Sequence, residues 1–176
     1  MENKIMKLLK ILFFVVFSLS DYHAAYSQES ATQNQKNIEE NVKLLQNLTQ
    51  YEIDYSFLIS QCMENINNQA LKGKLFKMRE ECESNIQELS SLIVKYGREK
   101  LDYSRDFKGF FMQGYAAMRG LTSDQGAISA LHTNSKTILK AFESALNRAL
   151  PEDIKKVVNK IYESQKISLE YIESQK

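Results

Sequence analysis

The stretch from Gln69 to Gly97 reads QALKGKLFKMREECESNIQELSSLIVKYG, and its spacing decides the fold. Leu71, Leu75, Met78, Cys82, Ile86, Leu89, Ile93 and Tyr96 recur every three or four residues, which predicts one apolar face on a long helix. Gly97 ends it in the manner of a left-handed C-terminal cap. Asn67-Asn68 precedes it and reads as a tight turn. Before that turn a second stripe runs through Ile38, Val42, Leu45, Leu48, Tyr55, Ile59, Cys62 and Ile66, on a helix from about Lys36 to Ile66. So short a link makes the two helices antiparallel neighbours.

Downstream the pattern breaks and then resumes. Arg98 to Gly126 is irregular, with Phe107, Phe110, Phe111, Met112, Tyr115 and Met118 spaced by Gly109, Gly114 and Gly120. It reads as a crossover carrying a short helix laid across the bundle. Ser123 or Asp124 then caps a third helix, about Gln125 to Ala149, with Ile128, Leu131, Ser135, Ile138, Phe142, Ala145 and Ala149 on its inner face. Pro151 suits the first turn of a fourth helix, and Glu152 and Asp153 complement its dipole. Ile154, Val158, Ile161, Gln165, Leu169 and Ile172 complete that face. The expected fold is all-α: two hairpins joined by one long crossover between helices 2 and 3, the connectivity of ferritin-like four-helix bundles.

The first residues carry a different message. Lys4, Lys7 and Lys10 precede an apolar run from Ile11 to Phe17, and Ala25 and Ser27 stand at −3 and −1 of a cut before Gln28. Residues 1–27 therefore read as a secretory signal, 28–36 as a polar lead-in and 37–175 as a single domain. The apolar run falls short of the roughly 20 residues a spanning helix needs. Export to a periplasm or to the exterior is the expectation, and an uncleaved signal would be the one hold on a membrane. Neither cysteine lies near the cut, which argues against a lipoprotein. Without the signal, basic and acidic side chains balance, so no clustered basic face suggests nucleic-acid binding.

The chain resembles a bacterial family of ferritin-like four-helix-bundle proteins of unassigned function. Leu71-Lys72, Phe110-Phe111-Met112-Gln113-Gly114-Tyr115, Ala127-Ile128, Leu139-Lys140-Ala141-Phe142, Ala145-Leu146 and Leu150-Pro151-Glu152 carry the likeness, which extends from about Val42 to Ile172. The resemblance implies an inward carboxylate near Ser135 and a His near Leu169. This chain has neither, so ligand roles do not carry over to those positions.

Glu52 fills a gap in the first stripe, and a buried carboxylate there would need a partner, a proton or a metal. Glu81, Asn85 and Gln165 are the candidate partners, and oxygen-only ligation around Glu52 and Glu81 would suit Fe or Mn. The simpler and favoured reading turns the helix slightly and leaves Glu52 in water at the boundary. Outside the signal the one histidine is His132, with Ser129 three residues before it, so the Glu-x-x-His pair of di-metal bundles is missing. His132 reads as a boundary side chain. Cys62 and Cys82 lie on apolar faces about 12 Å apart in height, too far for a disulfide, and read as inert thiols. Phe107, Phe110, Phe111 and Tyr115 either seal the core, the favoured reading, or face a partner.

These observations favour an exported, non-catalytic bundle that needs no cofactor and binds another protein, the envelope or a second copy of itself. The alternative is a metal-binding or oxidase site around Glu52 and Glu81.

Overall fold

The computed structural model describes the backbone of residues 2–100 and 123–176, and side chains from residue 32 onward within those ranges. Four helices account for it: α1 (Glu2–Asn65), α2 (Gln69–Lys95), α3 (Asp124–Leu146) and α4 (Glu152–Ser174). The chain divides into two compact units, Met1–Glu40 and Asn41–Lys176. In the first, the stretch expected as a frayed lead-in is helical, and Gln33 donates to Asn37 Oδ1 one turn on at 3.0 Å. Nothing in the sequence between Gln28 and Ile38 stops a helix, because Pro and Gly are both missing there. Ile38, placed on the buried stripe by its spacing, is only half-buried. Among the described residues no helix is long and apolar enough to cross a membrane.

The second unit is the bundle. Its helix ends are set by local chemistry. Asn68 accepts a bond from Leu71 N at 3.1 Å and caps α2. Gly97, at φ 77°, lets Arg98 N reach Ile93 O at 3.1 Å and closes α2 with a Schellman turn. Ser123 caps α3 through Gly126 N at 3.2 Å. Two ends shift from the sequence reading. α3 stops at Leu146 with Asn147 as its cap, so Ala149 is exposed rather than buried. Pro151 stands just before α4, in extended backbone, instead of within its first turn.

Two contacts fix how the helices run. Asn67 N bonds to Asp124 Oδ1 at 2.8 Å, so α3 starts beside the α1–α2 turn. Lys95 Nζ and Tyr96 OH both reach Asp153, at 2.6 and 3.1 Å, so α4 starts beside the end of α2. α2 and α3 are therefore parallel, and the end of α2 and the start of α3 stand at opposite ends of the bundle. The short helix expected between them lies outside the described residues, as do Phe107, Phe110, Phe111 and Tyr115.

The apolar faces close on one another as their periodicity requires. Leu45, Ile59, Leu75, Leu89, Ile93, Leu131, Ile138, Phe142, Ile154, Val158 and Ile161 are fully buried. Each such side chain contributes about 1.5–3 kcal/mol by leaving water. The α2–α4 seam is polar at its rim: Lys95 meets Asp153, Glu88 meets Lys160, Ser164 meets Glu81, and Lys74 lies over the Tyr171 ring. The α2 members are seven residues apart, which keeps them on one edge of the helix.

Candidate functional site: a buried carboxyl at the bundle centre

Glu52 is fully buried, which corrects the expectation that it sits in water at the boundary. What turns it inward is a pair of donors on other helices. Asn85 Nδ2 of α2 donates to Oε2 at 3.1 Å, and Gln165 Nε2 of α4 donates to Oε1 at 2.7 Å. Burial pushes the Glu52 carboxyl up to about 7, against the opposing pull of those two amides and the Cys82 thiol. The group therefore holds a proton through much of the acid range. Cys82 is buried against the same carboxyl, and its thiol is pushed well up by burial first and then by Glu52.

A third hydrogen bond spans the core close by. Tyr55 OH and Ser135 Oγ lie 2.5 Å apart and satisfy each other. Both residues are buried, and burial raises the Tyr55 phenol far above its ordinary value. Ser135 thus occupies the third-helix position with a hydroxyl already engaged by α1. Cys62, further along α1, is buried too; its thiol points to Ala127 O at 3.8 Å, and burial lifts it to about 12. The two cysteines are free, in line with their reading as separate thiols.

Glu81, expected as a second carboxylate, is not brought to this centre. It is exposed and accepts a bond from Ser164 at 3.4 Å on the α2–α4 rim. His132 is half-buried on α3, against the end of α4, 3.1 Å from Glu173 and 2.8 Å from Lys176 Nζ. The residues at the centre do not fit Fe or Mn. Both oxygens of the Glu52 carboxyl already face N–H donors, and a cation placed there would meet those hydrogens. Among the described residues no group of three His, Cys, Asp or Glu stands close enough to hold a metal ion.

One atom of the cluster is left without a hydrogen bond. Gln165 Oε1 is buried and finds no donor among the described residues. The amide of Gln165 is engaged with Glu52 through its nitrogen, and its oxygen is left over. Sequence reading named Asn85 and Gln165 as possible partners of Glu52. It missed the Cys82 contact and the Tyr55–Ser135 bond, for which only stripe membership was visible.

Comparison with curated proteins returns no significant match. Residues 40–148, which carry Glu52, Cys82, Asn85 and Ser135 and stop short of α4 and Gln165, match the family described as "Domain of unknown function (DUF2383)", and this chain belongs to that family.

Proposed function

We propose that this chain is an exported ferritin-like bundle, freed of its signal after Ser27, that works without catalysis by binding a protein or the cell envelope. The observation that carries the reading is the chemistry of the central layer. Ferritin-like di-metal bundles take a Glu from each of two helices and a Glu-x-x-His pair from each of the other two. The corresponding buried residues here are Glu52 on α1, Cys82-x-x-Asn85 on α2, Ser135 on α3 and Gln165-x-x-Ser168 on α4. The last pair begins one turn before Leu169, the position at which the family resemblance places a missing His. On this reading the spacing of a ligand set is kept around one carboxyl, Glu52, to which Asn85 and Gln165 donate, while Ser135 bonds to Tyr55.

The connectivity supports the ferritin-like part, since α2 and α3 run parallel with a long connection between them. Fold alone does not establish what such a bundle does. The binding part rests on the aromatic sequence Phe107 to Tyr115 between α2 and α3, which is the candidate interface. Anaerobic incubation of the purified chain with Fe²⁺ or Mn²⁺ tests the first claim. We expect no stoichiometric metal and an unchanged melting curve. Bound metal that Glu52→Gln removes would establish the carboxylate site instead. For the second claim, replacing Phe110 and Phe111 by Ser should abolish association and leave the melting temperature in place. A large fall in melting temperature would make these rings part of the core.

A further inference from the structure

Away from the central cluster, the seam between α1 and α2 opens into a groove of about 500 Å³. Ile53 and Phe57 of α1 and Ile86 of α2 form its apolar walls, and Arg79, Glu83 and Ser60 supply its polar groups. The guanidinium of Arg79 is held in place but poorly used. Its carbon lies 5.1 Å from the centre of the Phe76 ring, so the ring fixes the head group from one side. Its Nε is shielded from solvent and has no hydrogen-bond partner among the described residues. Glu83 Oε1 stands 3.6 Å from that nitrogen, an i,i+4 ion pair too long for a hydrogen bond.

The result is a cation and an anion side by side, one turn apart on a single helix, facing an apolar wall. A carboxylate would take the planar fork of Arg79. An ammonium beside it would take Glu83, and Ser60 has a lone pair to offer as well, because its hydroxyl hydrogen goes to Ser56 O at 3.0 Å. An α-amino acid carries those two charges about 3 Å apart, a separation set by its covalent geometry and close to that of the Arg79–Glu83 pair. Its side chain would then lie against Ile53, Phe57 and Ile86. A plain fatty acid would leave Glu83 facing its carboxylate, and a plain amine would leave Arg79 with no ligand group, so each is matched at one end only. We propose that this groove binds a free α-amino acid with an apolar side chain, carboxylate on Arg79 and ammonium on Glu83.

Isothermal titration of the full chain tests the proposal with L-leucine and L-phenylalanine, and with heptanoate and isopentylamine as single-ended probes. Saturable binding of an amino acid is expected, at least about tenfold tighter than either single-ended probe. Arg79→Gln and Glu83→Gln should each weaken it by about tenfold or more while the melting temperature holds. Both side chains are partly or largely exposed, so the variants fold. Absence of saturable binding, heptanoate binding as tightly as leucine, or binding that survives both substitutions would overturn the assignment.

Discussion

Replacing Glu52 by Gln should change how stability depends on pH, by an amount that follows from the site. The carboxyl titrates near 7 in the folded chain against 4.5 as its ordinary value. Below 4.5 it is neutral in both states, and its contribution to stability is fully present. Between 4.5 and 7 the unfolded chain gives up the proton while the folded chain keeps it. The folded state then binds more protons, so stability falls as pH rises and levels off above 7. The gap amounts to about 3 kcal/mol, since each pH unit is worth about 1.4 kcal/mol. The substituted amide keeps the shape of the carboxyl and does not titrate. Gln165 can turn its own amide to accept from the new one, which brings its idle Oε1 into use. Urea unfolding followed by circular dichroism at pH 4.5, 5.5, 6.5 and 8, conditions chosen to bracket about that window, gives the difference between the two proteins. That difference cancels other groups, including Asp153, whose carboxyl is held low first by Lys95 and acts with the opposite sign at more acid pH. The wild-type chain should lose about 3 kcal/mol relative to Glu52→Gln between the first and last pH. Parallel curves would refute the buried, proton-holding carboxyl.

Tyr55→Phe and Ser135→Ala should each cost about 1–3 kcal/mol, because each leaves a lone hydroxyl in the core; the double variant should cost less than their sum, and additive losses in the unfolding cycle would show that the bond is not made. Gly97→Ala should cost about 1–2 kcal/mol for a side chain at φ 77°, with no clash to add, since nothing lies within 4 Å of the new methyl; an unchanged melting temperature would remove the left-handed cap. Cys62 and Cys82 should stay unreactive towards a thiol reagent until denaturant is added, and prompt labelling of both in the native chain would contradict their burial. Replacing Glu52, Asn85 and Gln165 together by Leu should raise stability at pH 8, by about 1–4 kcal/mol, as apolar substitution of buried charged groups often does; a loss of several kcal/mol would show that the cluster stabilises the bundle outright.

Most of the bundle is legible in the spacing of its apolar residues, because a helix with one buried face must repeat near 3.6. Leu71 to Ile93 shows this best: every apolar residue named on that stripe is buried. Helix ends are less legible. Ala149 continues the α3 stripe by number, yet Asn147 and Arg148 turn back onto Glu143 O and Ala145 O and end the helix first. A stripe says which side of a helix is apolar, and a cap depends on which carbonyl the next N–H reaches. At the front of α1 the opposite error arises, since residues 32–37, all exposed and without Gly or Pro, continue a helix with no apolar stripe to advertise it.

Glu52 shows why the candidate site was only half visible. Its place in the gap between Leu48 and Tyr55 marks it as inward-facing. Whether a carboxyl stays there depends on donors 33 and 113 residues away in sequence. Asn85 and Gln165 look like ordinary polar residues until α2 and α4 bring them to one point. The groove at Arg79 and Glu83 is less visible still: the two charges stand one turn apart on α2, and only the packing of α1 against α2 gives them a wall.

The central cluster also explains how a mostly apolar bundle settles on one register. Leu, Ile and Val faces tolerate sliding, because one apolar side chain fits a neighbouring slot nearly as well as another. Glu52 does not. Moving α4 by one turn would set Ile161 or Leu169 opposite the carboxyl in place of Gln165, and a buried oxygen would lose its donor. That loss costs about 1–3 kcal/mol for a neutral group and more for a charged one. Asn85 imposes the same condition on α2, and Tyr55 with Ser135 imposes it on α3. Every other helix is thus keyed to α1 by a directional bond between polar side chains. The proton on Glu52 lets the key stay in the core at mild acidity, and the approach to neutral pH is where its cost is felt.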